Sequence, residues 1–395
     1  MRSLYLKKGK EKQPLNKHSY IFSGAIEKHD PEISAGEVIK IYSSENKFIA
    51  YGHFNPNSEI RARLLEWNEN SIVDQEWYRN KIISALKLRE RLFSSSETDG
   101  FRLVYSEGDL LPGLIVDKFN EVLVLQSFTS GMDTVKLTIT NILIEELPEI
   151  KCIYEKSDGD GRRMEGLSNC TGVLYGKLPD DIVIHENGIK YKVDLVSQKS
   201  GFYTDQRENR QKIIPYIKPG AEVLDLFSYS GGFALNCSKH LSCNVILCDS
   251  SKDAIELAGT NYRLNNLLTD DITFVTKDCF TFIRELYSDS RSFDVIILDP
   301  PKLMPKKKDE YRAVRAYKDL NFNAMKLVKT GGFLITFSCS GNFSMEEFKK
   351  MIAYSAKDAK RTVQIVEQLH QGIDHPVSVS VPESEYLKGL ILRIL

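Results

Sequence analysis

The sequence predicts an α/β fold whose largest part is a mostly parallel sheet with helices on both faces. From about residue 211 onwards, near-continuous apolar runs alternate with amphipathic segments, as in parallel strands buried between helices. The chain has 395 residues, more than a single hydrophobic core usually serves, so we expect two or three domains. Apolar residues make up 42% and charged residues 27%, as in an ordinary globular protein.

Residues 1–68 contain short apolar runs broken by Gly, Asn and Pro. Residues 36–55 have the pattern of two strands joined by a polar turn, and Ile60 to Leu65 has the pattern of a third. We interpret this part of the chain as a small β-barrel.

Residues 69–195 are predicted to form a small central α+β domain, which leaves residues 196–395 for the third domain. Residues 70–95 have helical spacing of apolar side chains. The other predicted elements are strands at Leu114 to Val116, Val122 to Gln126 and Lys190 to Leu195, and a helix at Thr134 to Leu147.

The third domain contains five predicted strands. They are Glu222 to Leu226, Asn244 to Cys248, Ile272 to Val275, Val295 to Leu298 and Gly332 to Phe337. Ligands of such sheets bind at the carboxyl ends of the strands, near the point where strand order reverses. The residues that directly follow each strand are therefore the candidate site.

The first two strands end in residues suited to a nucleoside cofactor. Asp225, Ser228 and Gly231 belong to a tight turn into a helix, where backbone can approach a ligand closely, although a purely structural turn is equally consistent. Asp249 ends the second strand, where an acid can bind a ribose diol or simply cap a helix. The G-x-G-x-x-G of dinucleotide-binding enzymes is absent, which disfavours a nicotinamide dehydrogenase.

Acidic residues and a thiol follow the remaining strands. Asp278 is placed to accept the amino group of adenine. Asp299 precedes two prolines, which are poor structure formers but suit a rigid loop that presents a carboxylate and carbonyls to a flat substrate. Cys339 follows the fifth strand at the mouth of the same crevice. Together these positions predict a nucleoside cofactor, S-adenosylmethionine.

Four segments resemble those of the bacterial ribosomal large-subunit RNA methyltransferase I family. They are GFYTDQRENR, DLFSYSGGF, LDPPK and FSCSG, and the resemblance extends over nearly the whole chain. It implies a PUA domain at residues 1–68 and a Rossmann-like class I methyltransferase domain at residues 196–395. It also implies formation of 5-methylcytosine in 23S rRNA, with naked rRNA or an assembling large subunit as the partner.

The resemblance also implies the residues of the site. The TDQR segment is expected to form a lid on the cofactor side, whereas its composition alone indicates only a polar loop. The implied cofactor-binding residues are Tyr203, Asp205, Gln206, Arg207, Asp225, Phe227, Ser228, Gly231, Asp249, Ser250, Asp278, Cys279 and Asp299.

Methylation of cytosine at carbon 5 requires a nucleophile, because that carbon does not attack a sulfonium methyl group unaided. A thiolate that adds at carbon 6 makes carbon 5 reactive, and Cys339 is the candidate. Asp299 is the candidate to hold or donate a proton at ring N3. The six cysteines expected to be inert packing residues are Cys152, Cys170, Cys237, Cys243, Cys248 and Cys279.

Lys302 marks a departure from many related RNA cytosine methyltransferases. They carry a second cysteine directly after the two prolines, where it assists product release, and this chain has Lys302 instead. Which residue removes the proton from carbon 5 is therefore open.

Local basic patches, rather than the net charge of −1, are expected to contact RNA. Runs of lysine are also common as solvated surface, which is the alternative. Tyr317 has the character of either a stacking residue for the flipped base or a core residue. The proposed RNA contacts are Lys7, Lys8, Lys10, Pro300, Pro301, Lys302, Lys306 and Lys307.

Two alternative functions stay open at this point. A transferase acting on N7 of guanine would not need Cys339, because that nitrogen is already nucleophilic. A non-catalytic RNA-binding assembly factor is disfavoured by the intact acids. The sequence contains no apolar run of the length of a membrane helix, no secretory signal and no zinc-like cysteine pairs, so we expect a cytoplasmic protein without a metal site. A homodimer is compatible with the sequence.

Overall fold

The computed structural model describes residues 1–94, 97–195, 201–303, 310–341 and 343–395. They form two compact units. The first contains the described residues of Met1–His185, Val193–Ser200 and Ile373–Ser384, and the second contains those of Glu186–Lys192, Gly201–Gly372 and Glu385–Leu395. The division into three domains at residues 68 and 195 stays a prediction. Within the described part of the chain, every helix is too short or too polar to cross a lipid bilayer.

The first unit begins with a six-stranded sheet. Its strands are β1 Ser3–Leu6, β2 Tyr20–Phe22, β3 Ile26–His29, β4 Val38–Tyr42, β5 Phe48–Phe54 and β6 Ile60–Glu66, with a one-turn helix, α1 Lys12–Leu15, after β1. The order is β2-β6-β5-β4-β1-β3, and only β1 and β4 pair in parallel among these strands. The three strands indicated by the sequence are β4, β5 and β6. The other three are only three or four residues long, too short for alternation to be recognised.

A five-stranded sheet with two long helices follows. The strands are β7 Gly100–Tyr105, β8 Leu114–Phe119, β9 Val122–Ser127, β10 Cys152–Ser157 and β11 Cys170–Gly176, in the order β11-β10-β9-β8-β7. The helices are α2 Gln75–Leu92, α3 Ser130–Glu146 and the short α4 Asp160–Met164. Helix α3 begins four residues earlier than Thr134, because the Thr129 hydroxyl accepts the Met132 N–H and caps it. Two further strands, β12 Ile182–Glu186 and β13 Ile189–Val193, pair with each other.

The second unit is built on a seven-stranded sheet. Its strands are β14 Glu222–Leu226, β15 Asn244–Asp249, β16 Ile272–Thr276, β17 Phe293–Leu298, β18 Val328–Ser338, β19 Val363–His370 and β20 Lys388–Ile394. Its helices are α5 Arg207–Lys212, α6 Gly232–His240, α7 Lys252–Leu264, α8 Cys279–Ser288, α9 Glu310–Leu327 and α10 Met345–Ala359. All five strands predicted here are present.

Strand order in this sheet is β16-β15-β14-β17-β18-β20-β19. Strands β14 to β18 are mutually parallel, and β20 pairs antiparallel with both β18 and β19. The order reverses between β14 and β17, since the chain moves outward from β14 to β16 and then returns to the other side. The reversal places a crevice at the carboxyl ends of β14 and β17, where ligands of such sheets bind.

Candidate active site

The end of β14 and the loop that follows it contain buried polar atoms that lack partners. Asp225 is 1% exposed, and one of its oxygens accepts the Ala234 N–H at 3.1 Å. Its other oxygen, Oδ1, and Ser228 Oγ are buried without a hydrogen-bond partner among the described residues. Burial, together with the charges of Asp299 and Asp249, raises the pKa of Asp225 to about 8. Unpaired buried polar atoms are rare in native proteins, so these two mark a place for a polar ligand or water.

Three alternate residues of this loop have a left-handed backbone, and two of them are not glycine. Phe227 and Tyr229 have φ of 62° and 47°, and Gly231 has φ of 77°. The left-handed conformation costs a residue with a Cβ about 1–2 kcal/mol, and such strain is concentrated at functional sites. A Cβ on Gly231 would also lie 3.1 Å from Leu247 and 3.2 Å from Ala258. Gly231 is therefore required both by conformation and by close packing.

Asp249 ends β15 and is 5% exposed. Its two oxygens accept the Tyr229 N–H at 3.1 Å and the Ser251 N–H at 2.9 Å. Each carboxylate oxygen keeps a further lone pair, so Asp249 can still accept from two hydroxyls. Helix α7 is capped by Ser251, so Asp249 is not its N-cap. Ser250, next to it, is exposed.

Asp278 and Cys279 lie at the start of α8. Asp278 is exposed and caps the helix, because its Oδ1 accepts both the N–H and the hydroxyl of Thr281 at 2.9 Å. Cys279 is buried, and its sulfur accepts the Phe227 N–H at 3.3 Å. A hydrogen bond with Cys248, and then burial, raise the pKa of Cys279. The thiol thus ties α8 to the strained loop.

Asp299 and the TDQR segment are brought together at the carboxyl end of β17. Gln206 Nε2 donates to Asp299 Oδ2 at 3.0 Å, and Asn209 donates to Gln206 Oε1 at 2.6 Å, which fixes the orientation of the amide. The Asp205 carboxylate accepts the Tyr386 hydroxyl. The TDQR segment is therefore held by Asp299 through Gln206 and by Tyr386 through Asp205.

Arg207 lies in a buried ion-pair cluster. Its guanidinium is 3.3 Å from the carboxylate of Glu186, which also binds Arg210 through two hydrogen bonds of 2.8 Å. Arg210 donates in addition to the carbonyl of Tyr203, whose side chain is 40% exposed. Sequence reasoning identified neither Glu186 nor Arg210, because neither belongs to a local pattern of spacing.

Cys339 directly follows β18 and is half-buried. Its Sγ donates to the carbonyl of Pro300 across a distance of 3.9 Å. Burial and the negative charges of Asp299 and Asp205 raise the pKa of Cys339 to about 12, and Lys302 opposes this. The resting thiol is therefore protonated at neutral pH and lies beside the loop that carries Asp299.

The remaining cysteines and the proposed RNA contacts are dispersed. Cys170 is half-buried and donates to Glu155 at 3.3 Å, whereas the other five cysteines are buried. Tyr317 is fully buried with its hydroxyl 3.2 Å from Ser340 Oγ, so it is a core residue and does not stack on RNA. Pro300 is buried, and the exposed residues are Pro301, Lys302, Lys7, Lys8 and Lys10. Lys306 and Lys307 lie outside the described residues.

Family models match two parts of the chain. Residues 4–67 match the PUA-like domain family, and residues 162–393 match the S-adenosylmethionine-dependent methyltransferase family. Ribosomal RNA large subunit methyltransferase I of Aliivibrio fischeri is 38% identical over 395 residues, covering 100% of this chain and 99% of the relative. The protein of the same name from Aeromonas hydrophila is 40% identical, with 99% of each chain covered. The chain belongs to the ribosomal RNA large subunit methyltransferase I family.

A solved structure supports the fold assignment of this methyltransferase I family member. It is a candidate SAM-dependent methyltransferase from Streptococcus mutans, with a TM-score of 0.85, 21% sequence identity and 100% coverage of both chains. The predicted family, the PUA-like and class I methyltransferase folds, and the cofactor S-adenosylmethionine are thereby confirmed.

The residues present fit S-adenosylmethionine. The crevice offers two unpartnered buried oxygens, Asp225 Oδ1 and Ser228 Oγ, and Asp249 oxygens with spare lone pairs. It also has a tight turn at Gly231, where the residue has no side chain and φ is 77°. Such a donor and acceptor set suits a ligand with an ammonium group and a ribose diol.

Gly231→Ala is expected to weaken binding of S-adenosylmethionine at least about tenfold, because the strained turn must shift to relieve the contacts of the new methyl group. Gly220→Ala is the matched control, since Gly220 has the same φ of 77° with no atom within 4 Å of the position of a Cβ. Titration calorimetry measures both affinities. Equal affinities in the two variants would contradict a role of the Gly231 turn in binding.

Proposed function

We propose that this protein methylates carbon 5 of a cytosine in the RNA of the large ribosomal subunit, with Cys339 as the nucleophile. The observation that carries the proposal is the position of the Cys339 thiol, 3.9 Å from the Pro300 carbonyl in the loop that presents Asp299. Adjacent strands β17 and β18 bring the thiol and the carboxylate to the same end of the sheet. The relatives' name, which specifies large-subunit ribosomal RNA, supports the choice of substrate.

The cofactor would be held by the residues at the strand ends. Asp225 and Ser228 would bind the methionine part, since both have unused buried oxygens. Asp249 would accept the ribose hydroxyls, and Asp278 would accept the adenine amino group with its exposed carboxylate. Gln206 would contribute indirectly, by orienting Asp299 through its 3.0 Å hydrogen bond.

The chemistry begins at the thiol. The Cys339 thiolate adds to carbon 6, so a C–S bond forms and the electrons of the C5–C6 double bond move towards N3, which takes a proton that Asp299 holds or donates. When bound, S-adenosylmethionine supplies an electrophilic methyl group for carbon 5. A base then removes the carbon 5 proton, the C5–C6 double bond re-forms, and the C–S bond breaks to release Cys339 as a thiolate. N3 returns its proton to Asp299, which gives neutral 5-methylcytosine. The resting thiol is protonated, so Cys339 must lose its proton before the addition.

The experiment that tests the proposal identifies the methylated nucleoside. Wild-type protein is incubated with methyl-labelled S-adenosylmethionine and unmodified 23S rRNA, either naked or within large-subunit particles. The RNA is then digested to nucleosides. We expect the label in 5-methylcytidine. Label in 7-methylguanosine would contradict the proposal, because N7 of guanine needs no thiol.

The RNA contact proposed for the N-terminal lysines predicts a change in salt dependence. The triple variant Lys7→Ala, Lys8→Ala, Lys10→Ala is expected to bind RNA more weakly. It should also reduce the slope of log K against log salt by about 2, because fewer phosphate contacts form and fewer counterions are released on binding. The control is Lys87→Ala, Lys151→Ala, Lys177→Ala, which removes three exposed lysines from elsewhere in the first unit. Binding isotherms at several salt concentrations give both slopes, and identical slopes would refute the contact.

A further inference from the structure

Lys388 lies on β20, the strand next to β18, and contacts the backbone close to Cys339. It is the first residue of β20, where it lies opposite Ser338 in the antiparallel register, one residue before the cysteine. Its Nζ donates to the carbonyl of Ser340 at 2.8 Å, one residue after the cysteine. Lys388 is thus next to the backbone on both sides of Cys339, through strand pairing at Ser338 and through its side chain at Ser340.

The charge of Lys388 is buried and poorly compensated. The residue is 6% exposed, and within the described ranges its Nζ makes only the bond to Ser340, although an ammonium has three N–H donors. No carboxylate among the described residues lies within ion-pair distance of it. The groups whose charges act on it are Cys339, Glu385, Glu347 and Lys302. Burying an ammonium without an ion-pair partner is unfavourable, so a negative charge that forms close to it stabilises it.

We propose that Lys388 is a positioning residue whose ammonium serves as the counter-ion of the Cys339 thiolate. The proposal rests on the function proposed above, in which Cys339 is the nucleophile. When the thiol ionises, its S–H bond breaks, the proton passes to solvent, and the ammonium stays protonated. The thiolate then compensates the buried ammonium, and the ammonium offsets the repulsion that Asp299 and Asp205 exert on the sulfur.

The pairing has a defined pH dependence. Burial lowers the pKa of Lys388 to about 8, so the ammonium is present below that pH and is lost as the pH rises through it. Stabilisation of the thiolate by Lys388 is therefore greatest below about pH 8 and diminishes above it. The other titratable groups that act on Cys339 are Asp299, Asp205, Lys302, Tyr203 and Tyr317. They are unchanged in the variants described below.

The test measures the reactivity of Cys339 in the full-length protein. Iodoacetamide alkylates the thiolate, and mass spectrometry quantifies the modified Cys339 peptide between about pH 6 and pH 10. Lys388→Met removes the charge and the hydrogen bond, Lys388→Gln retains a donor for Ser340 without the charge, and Lys388→Arg retains the charge. Cys170, the half-buried cysteine of the first unit, is the internal reference in every sample.

We expect alkylation of Cys339 in Lys388→Met and Lys388→Gln to be at least about tenfold slower below pH 8, and the difference to narrow at higher pH. Lys388→Arg should restore most of the wild-type rate, and Cys170 should react equally in all four proteins. Wild-type reactivity in Lys388→Gln would overturn the proposal, because it would assign Lys388 only a hydrogen-bonding role. Should Lys388→Met fail to fold, as judged by circular dichroism, the Gln and Arg variants still decide the question.

A parallel methylation assay separates this proposal from the one on which it rests. If Cys339→Ala abolishes 5-methylcytidine formation while Lys388→Gln alkylates normally, only the pairing fails. If alkylation depends on Lys388 but methylation does not depend on Cys339, the pairing stands and the nucleophilic mechanism fails.

Discussion

Replacing Cys339 with alanine is expected to reduce methyl transfer to rRNA by at least about 10³-fold, because carbon 5 of cytosine is not activated without a covalent bond at carbon 6. Cys339→Ser should be similarly inactive, since a hydroxyl is far more difficult to ionise than a thiol. Single-turnover transfer of labelled methyl groups measures the effect. Binding of S-adenosylmethionine should be nearly unchanged in both variants.

A covalent trap gives this prediction a second readout. RNA that carries 5-fluorocytidine has no proton to lose from carbon 5, so the wild-type protein should remain bonded to it under denaturing electrophoresis. Cys339→Ala should form no such adduct. Cys170→Ala is the matched control, because Cys170 is also half-buried but lies in the first unit. Full activity of Cys339→Ala would exclude the nucleophilic mechanism.

Glu186→Ala is expected to destabilise the second unit by about 3–5 kcal/mol, which is the usual effect of removing one partner from a buried ion pair. The side chain of Glu186 is 1% exposed, and those of Arg207 and Arg210 are 4% and 3% exposed. Without the carboxylate, two buried guanidinium groups each lose an ion-pair partner. Arg207 belongs to the TDQR segment that holds Asp299 and Arg210 follows it by three residues, so methyl transfer should also decrease.

Two spectroscopic signals separate the units in this experiment. Both tryptophans, Trp67 and Trp77, lie in the first unit, so their fluorescence follows that unit while circular dichroism follows both. In urea, Glu186→Ala should shift the dichroism transition and leave the fluorescence transition in place. Glu256→Ala is the control, since its pair with Lys252 is 65% and 79% exposed and should contribute less than about 0.5 kcal/mol. Equal unfolding curves for the two variants would contradict the role of Glu186.

The parallel strands and their ends could be predicted from sequence because each is a local pattern. Five apolar runs gave β14 to β18. The residues at or directly after their ends include Asp225, Asp249, Asp299 and Cys339, which the structure brings to one end of the sheet. Strands β19 and β20 were not identified. Most residues of β19 are exposed or half-buried, so it lacks the continuous apolar run of a strand buried on both faces.

The buried charges could not be predicted by the same reasoning. Glu186 precedes Arg210 by 24 residues, and Lys388 follows Cys339 by 49, so only the tertiary fold brings either pair together. A charged residue in a sequence is expected on the surface, since burial of an ion is unfavourable without a partner. Tyr317 illustrates the converse, because its sequence context fitted stacking and core packing equally and only its burial decided between them.

The position of β20 in the sheet affects the order in which the sheet can form during synthesis of the chain. It is inserted between β18 and β19, both of which precede it in the chain. During synthesis from the N-terminus, one edge of β18 therefore has unpaired backbone hydrogen-bonding groups until β20 has left the ribosome. Such an unpaired edge favours aggregation. Lys388 arrives with the same strand. The nascent chain thus acquires the completed sheet and the charge beside Cys339 in one step, so no earlier folding intermediate has a fully assembled thiol site.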